Sequence, residues 1–221
     1  MNVAVYSGSF NPLHIGHLAI IKHMIEEAGF DIVYLIVSPK NPLKDGISAS
    51  TGEDRYNAAL SAVNRHFDIK AREAECGDDM PPPARGCLAK GKAGVIGASD
   101  SQAYCKVRVD DIELNMPEPH YTVRTLRALK EREPENSFTF VMGADNLADI
   151  RRWREYAAIL KDFGVAIFPR TGHDLTKIKQ DLLNEDPAYK IQILDAQMVD
   201  ISSTQIREAI ANGDDISAFL M

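Results

Sequence analysis

The segment Gly8-Ser-Phe-Asn-Pro-Leu-His-Ile-Gly-His17 leaves the apolar run Val3-Ala-Val-Tyr6, and its residue types suit a loop that holds phosphate. Gly8 can take positive φ and let the backbone approach a ligand, while Pro12 stiffens the turn ahead of a helix. His14 and His17 are three residues apart, so at a helix start both rings project from one face into the same space. There they would add side-chain donors to the free backbone N–H groups and positive end of the helix, which already favour an anion. The plainer reading makes His14 a helix cap and His17 a surface residue. The segment is neither G-x-G-x-x-G nor a P-loop, since no G-K-[ST] ending follows.

Four other places carry groups of the same character. In Ile201-Ser-Ser-Thr-Gln-Ile-Arg207, Ser202 and Gln205 form a capping-box pattern that predicts a helix over Gln205–Ala211, closed at Asn212-Gly213. Arg207 then lies in its first turn or just beyond, where a cation opposes the helix dipole at a cost of about 0.3–1 kcal/mol. An anionic partner would offset that cost. Lys44 follows two prolines on a stiffened loop, and Gly143 and Asp145 stand at the end of an apolar run, where the aspartate could also cap the next helix. Trp153 is the only tryptophan and has Arg151, Arg152 and Arg154 beside it, which predicts a rim position; its indole face suits an electron-poor ring.

These groups need a scaffold, and the hydrophobic pattern supplies one. Val3–Ser7 and Ile32–Ser38 are short, continuously apolar strands of a sheet covered on both faces. Between them Ile15–Ala28 carries Leu18, Ile21, Ile25 and Ala28 at helical spacing and ends at Gly29, completing a βαβ unit. A helix is expected over Asp54–Val63, a strand over Val109–Leu114 and a helix over Thr122–Glu133. Strand Ser137–Met142, a helix around Tyr156–Leu160, strand Gly164–Phe168, helix Leu175–Leu183 and strand Lys190–Leu194 follow. The alternation implies a Rossmann-like α/β fold, one domain over residues 1–221, whose open, mostly parallel sheet has helices on both faces and ligands at the strands' carboxyl ends. The pattern fails between about residues 69 and 108, which hold Pro81-Pro-Pro83 and all three cysteines. A loop insertion is expected there.

Composition narrows the classes of function. Of the residues, 45% are apolar and 26% charged, ordinary values for a globular protein. The net charge of −7 argues against a nucleic-acid groove. No apolar stretch reaches the about 18 residues of a membrane span, and no leader pattern precedes Val3, so a cytoplasmic protein with no membrane partner is expected. Cys76, Cys87 and Cys105 have no C-x-x-C spacing and are expected as reduced thiols, with a weak metal site as the minority reading. The oligomeric state is left open.

The string H-I-G-H after S-G-S-F-N-P-L resembles the H-x-G-H signature of the nucleotidyltransferases. Together with Ser38-Pro-Lys-Asn-Pro-Leu-Lys44, Tyr121-Thr122, Gly143-Ala-Asp145, Trp153 and Ile201–Arg207, the chain is similar to the bacterial nicotinate-nucleotide adenylyltransferase family, outside residues 69–108. That resemblance implies transfer of AMP from ATP to nicotinate mononucleotide, with Mg²⁺ carried by ATP and no metal site in the protein. It implies an ATP side made of Gly8, Ser9, Phe10, His14, His17, Gly143, Asp145, Ile201, Ser203, Thr204 and Arg207. Ser203, Thr204 and Arg207 would hold the β- and γ-phosphates, Asp145 the ribose, and Lys44, beside Asn41, the substrate phosphate. Trp153 would stack on the nicotinate ring, with its carboxylate at backbone N–H groups near Thr122 and Arg154, and Tyr121 would stand on the same substrate side. Transfer to another phosphate such as that of pantetheine, a cytidylyltransferase, or a nucleotide-sensing module are the competing readings.

Overall fold

A computed structural model describes residues 1–39, 51–67, 95–96, 106–170, 172–196 and 203–220. Among the described residues seven strands form one sheet: β1 (Asn2–Gly8), β2 (Ile32–Val37), β3 (Val95–Ile96), β4 (Val107–Asp110), β5 (Ser137–Gly143), β6 (Val165–Phe168) and β7 (Ile191–Ile193). Their order is β3-β4-β2-β1-β5-β6-β7, with every pair parallel except β3 with β4. From β1 the chain works outward through β2 to β4, then returns to β5 on the other side of β1 and continues to β7. Loops after β1 and β5 therefore diverge at the carboxyl edge, and a crevice opens between them.

Alternation along β1 explains the two cores. Ala4 and Tyr6 face one layer with Leu18, Ile21 and Val63; Val3 and Val5 face the other with Leu126, Leu129 and Leu160. The first layer holds α1 (Ile15–Glu26) and α2 (Gly52–Phe67). The second holds α3 (Thr122–Arg132) and α6 (Leu175–Glu185). All six residues of β2 are buried, as a strand covered on both faces requires. Among the described residues no helix is long and apolar enough to cross a membrane.

Several boundaries depart from the sequence pattern. The strand expected over Val109–Leu114 is instead β4, starting at Val107 and ending at Asp110. Asp110 Oδ1 accepts from the Ile112 N–H (2.9 Å), and that turn carries the chain into a 3₁₀ helix over Ile112–Asn115. The short strand β3 lies inside the stretch read as irregular; the rest of residues 69–105, with all three cysteines, is outside the described residues. Between α4 (Ala144–Ala148) and β6 the expected helix has only three α-helical residues, α5 (Tyr156–Ala158), followed by a π turn, Ile159–Phe163. Gly164 ends that turn at φ +89, and β6 begins one residue later. Helix α1 stops at Glu26, ahead of Gly29 with φ +77, and α7 (Ser203–Asn212) opens two residues before Gln205. Ser202 and its capping box lie outside the described residues.

Candidate active site

The loop after β1 reaches its shape by a route other than the expected one. Positive φ falls on Phe10 (φ +43), not on Gly8. A non-glycine residue tolerates the left-handed region only where its surroundings compel it. Phe10 is buried, with its ring edge-on to Tyr6 at 5.6 Å and to His17 at 5.3 Å between centroids. Gly8 matters for contact instead: a Cβ there would press on the Phe10 ring at 3.2 Å.

His14 caps a helix, as the plainer reading has it, while His17 is a half-buried partner in the same cap and not a surface residue. His14 is the N-cap of α1, and its Nδ1 accepts from the Gly16 N–H at 3.2 Å. His17, in the first turn, returns the bond: its Nδ1 accepts from the His14 N–H at 3.2 Å. This is a capping box built from two imidazoles. With each Nδ1 occupied as an acceptor, the neutral ring carries its proton on Nε2. Burial is the main reason that the His14 pKa is lowered to about 4, with the Arg170 charge adding to it. Burial likewise lowers His17 to about 3, helped by His14 and Arg170. The pair therefore enters the site as two uncharged N–H donors, with ring centroids 3.7 Å apart.

Arg207 joins the two ends of the chain. Its guanidinium donates to the Asn11 carbonyl (2.8 Å) and to Thr204 Oγ1 (3.0 Å), pinning α7 against the loop after β1. Leu220 adds an antiparallel bridge to His14. On the other side of the crevice, Asp145 opens α4 and pairs with Arg170 at 3.4 Å, both half exposed. Gly143 makes room for them, since a Cβ there would strike the Asp145 carboxylate and approach Arg170 Nε to 3.1 Å. Arg170 also lies over the Phe168 ring, 5.7 Å from its centroid. It escaped the sequence reading because it is one more arginine after a strand; only its place beside Asp145 and the histidines distinguishes it.

A cleft of about 490 Å³ runs along this edge. It brings together Gly8, Ser9, Phe10, His14, His17, Gly143, Asp145, Thr204 and Arg207 at one part of its wall with Tyr121, Thr122, Trp153 and Arg154 at another. Helix α3 presents its N-terminus here with no side-chain cap at Tyr121, so its first N–H groups are open to a ligand. Trp153 is not a free rim residue: it is half buried, edge-on to Phe140 at 5.8 Å, and its buried Nε1–H has no hydrogen-bond partner among the described residues. Glu113 and His120 also line the cleft, and the sequence reading missed Glu113 by placing it within a strand. Lys44, Asn41 and Ile201 lie outside the described residues, and Ser203 is described only as the first residue of α7.

Comparisons with known proteins agree with this architecture. The cytidylyltransferase-like family profile matches residues 5–209. A Flavobacterium johnsoniae protein named "Probable nicotinate-nucleotide adenylyltransferase" is 31% identical over 220 residues, covering 100% of this chain and 92% of its own length. One of the same name from Flavobacterium psychrophilum is 35% identical with the same coverage. Among solved structures, the Plasmodium falciparum nicotinic acid mononucleotide adenylyltransferase complexed with NaAD superposes with a TM-score of 0.66 at 18% identity. That match covers 98% of this chain and 87% of the other, and it is a likeness of fold.

Proposed function

The chain belongs to the cytidylyltransferase-like family of nucleotidyltransferases, among the nicotinate-nucleotide adenylyltransferases, and we propose that it transfers AMP from ATP to nicotinate mononucleotide in NAD biosynthesis. The products are nicotinate adenine dinucleotide and pyrophosphate. A 5′-phosphate oxygen of the mononucleotide attacks the α-phosphorus of ATP. The new P–O bond forms as the bond to the β-phosphate oxygen breaks, and pyrophosphate leaves with the electron pair.

No protein nucleophile is needed, so the residues act by positioning and by meeting developing charge. The observation that carries this reading is the neutral histidine pair, whose geometry leaves Nε2–H as the donor of each ring. In this assignment His17 meets the α/β-phosphate and His14 the phosphates beside it. Arg207, Thr204 and Ser203 hold the β- and γ-phosphates, with Lys44 adding charge. Asp145 exchanges its exposed pairing with Arg170 for the adenosine ribose, a small loss for a half-exposed ion pair. Trp153 stacks on the pyridine ring, and the open N–H groups of α3 take its carboxylate.

A Mg²⁺ ion would enter with the triphosphate, without a dedicated set of protein ligands, and would supply positive charge beside the pyrophosphate that leaves. Among the described residues no three potential ligands cluster, and Asp145, an exposed carboxylate that lines the cleft, is paired with Arg170. The test is pyrophosphate release from ATP with nicotinate mononucleotide, against phosphopantetheine as acceptor and CTP as donor. Turnover is expected with the first pair alone; release only with another acceptor or donor, or none, overturns the assignment.

A further inference from the structure

Glu113 is a buried carboxyl group for which adenylyl transfer, as derived above, has no use. It sits in the 3₁₀ turn after β4, 3% exposed, at the ligand edge of the sheet. Its Oε1 accepts from Thr125 Oγ1 at 2.7 Å. Thr125 is in the first turn of α3, three residues on from Thr122 and so about 5 Å along the helix from it. The groups that face it are the Thr125 hydroxyl of α3, the Ser38 hydroxyl after β2 and His120 of the loop before α3. The His120 ring is held in turn, with Nε2 3.0 Å from the Met116 carbonyl. Glu113 Oε2 is nevertheless buried without a hydrogen-bond partner among the described residues, while the side chain lines the cleft. An orphaned buried acceptor in a ligand cleft calls for a partner, and here the ligand can supply it.

We propose that Glu113 determines which pyridine mononucleotide the cleft selects, its unpartnered Oε2 meeting the substituent on the pyridine ring. This rests on the functional reading above. The acid and amide forms of the mononucleotide differ only at that substituent: a carboxylate offers acceptors alone, whereas a carboxamide offers two N–H donors and one acceptor. An ionised Glu113 accepts from the amide and repels the carboxylate; a protonated Glu113 donates to the carboxylate. Burial pushes the Glu113 carboxyl up, against the lowering pull of the two hydroxyls and His120, so its proton exchanges closer to neutral pH than that of a solvated glutamate.

The experiment measures kcat/KM for nicotinate and nicotinamide mononucleotides with ATP between pH 5.5 and 8.5. Both substrates carry the same 5′-phosphate, whose own titration cancels in the ratio. The acid-over-amide ratio of the unaltered protein is expected to fall as pH rises, by up to about tenfold per unit for one proton, with the change in KM and not kcat. In Glu113→Gln the ratio becomes independent of pH. Parallel pH profiles for the two substrates in the unaltered protein overturn the proposal even if the variant does not fold, and so does a variant that keeps the pH-dependent ratio. Absence of pyrophosphate release with either mononucleotide overturns the functional reading instead, and this inference with it.

Discussion

At the scale of single residues, a histidine pair that caps a helix with its own Nδ1 atoms cannot also be a pair of cations. Protonating either Nδ1 would set an N–H against a backbone N–H and break the cap. NMR titration of the free protein should show both rings neutral, in the Nε2–H form, with midpoints near about 4 for His14 and 3 for His17; a midpoint near the solvent value would refute it. If Nε2–H of His17 meets the phosphate in the transition state, His17→Ala lowers kcat by about 10²–10³-fold, with a smaller effect on ATP binding. Near-normal turnover would end that assignment. For Trp153→Ala, KM for the mononucleotide should rise while ATP binding is kept, and steady-state kinetics with each substrate varied in turn separates the two.

At the scale of elements, strand ends and helix starts decide the site. The turn from β5 into α4 is tight enough that only glycine fits at 143 without displacing Asp145. Gly143→Ala should raise KM for ATP roughly tenfold, the loss of about one hydrogen bond to a charged group; an unchanged KM would show that Asp145 does not serve the nucleotide. Helix α3 is held from its other end. Arg132 makes a two-pronged pair with the nearly buried Asp110 at the end of β4, at 2.6 and 3.2 Å. Glu133 completes the network by accepting from Tyr34 (2.7 Å) and Asn136 (2.6 Å). Removing one partner strands a buried charge, so Arg132→Ala should cost about 3 kcal/mol of stability, read as a lower urea midpoint.

At the scale of the whole molecule, the site is a clasp between chain ends. Arg207 and Asn11 are 196 residues apart in sequence and meet at 2.8 Å. Acid stability should register the buried histidines there. Their folded pKa values lie below the unfolded value, so the unfolded chain binds more protons between about pH 6.5 and pH 4. Stability is fully present above pH 6.5 and falls as pH drops through that window, by up to about 1.4 kcal/mol per unit for each ring. Denaturation of His14→Gln across the window should give a shallower slope than the parent protein; identical slopes would mean that His14 is not buried neutral.

Much was legible in the sequence because it is local. The H-I-G-H string, the glycine ending β5 and the apolar periods of α1, β2 and β5 depend on neighbours a few residues away, and the sheet with helices on both faces follows from their alternation. Arg170 and Glu113 were not legible, since an arginine after a strand and a glutamate inside an expected strand have no local mark; their meaning comes from Asp145, Thr125 and the cleft. Periodicity also misplaced the end of β4, where a side-chain turn at Asp110 overrides apolar pattern. By itself the sequence determined which residue types stand at the carboxyl edge of the sheet. Only the tertiary structure decided which nitrogen of each histidine carries the proton and which charges face them, because tautomers and burial are set by atoms that the chain brings together from far apart.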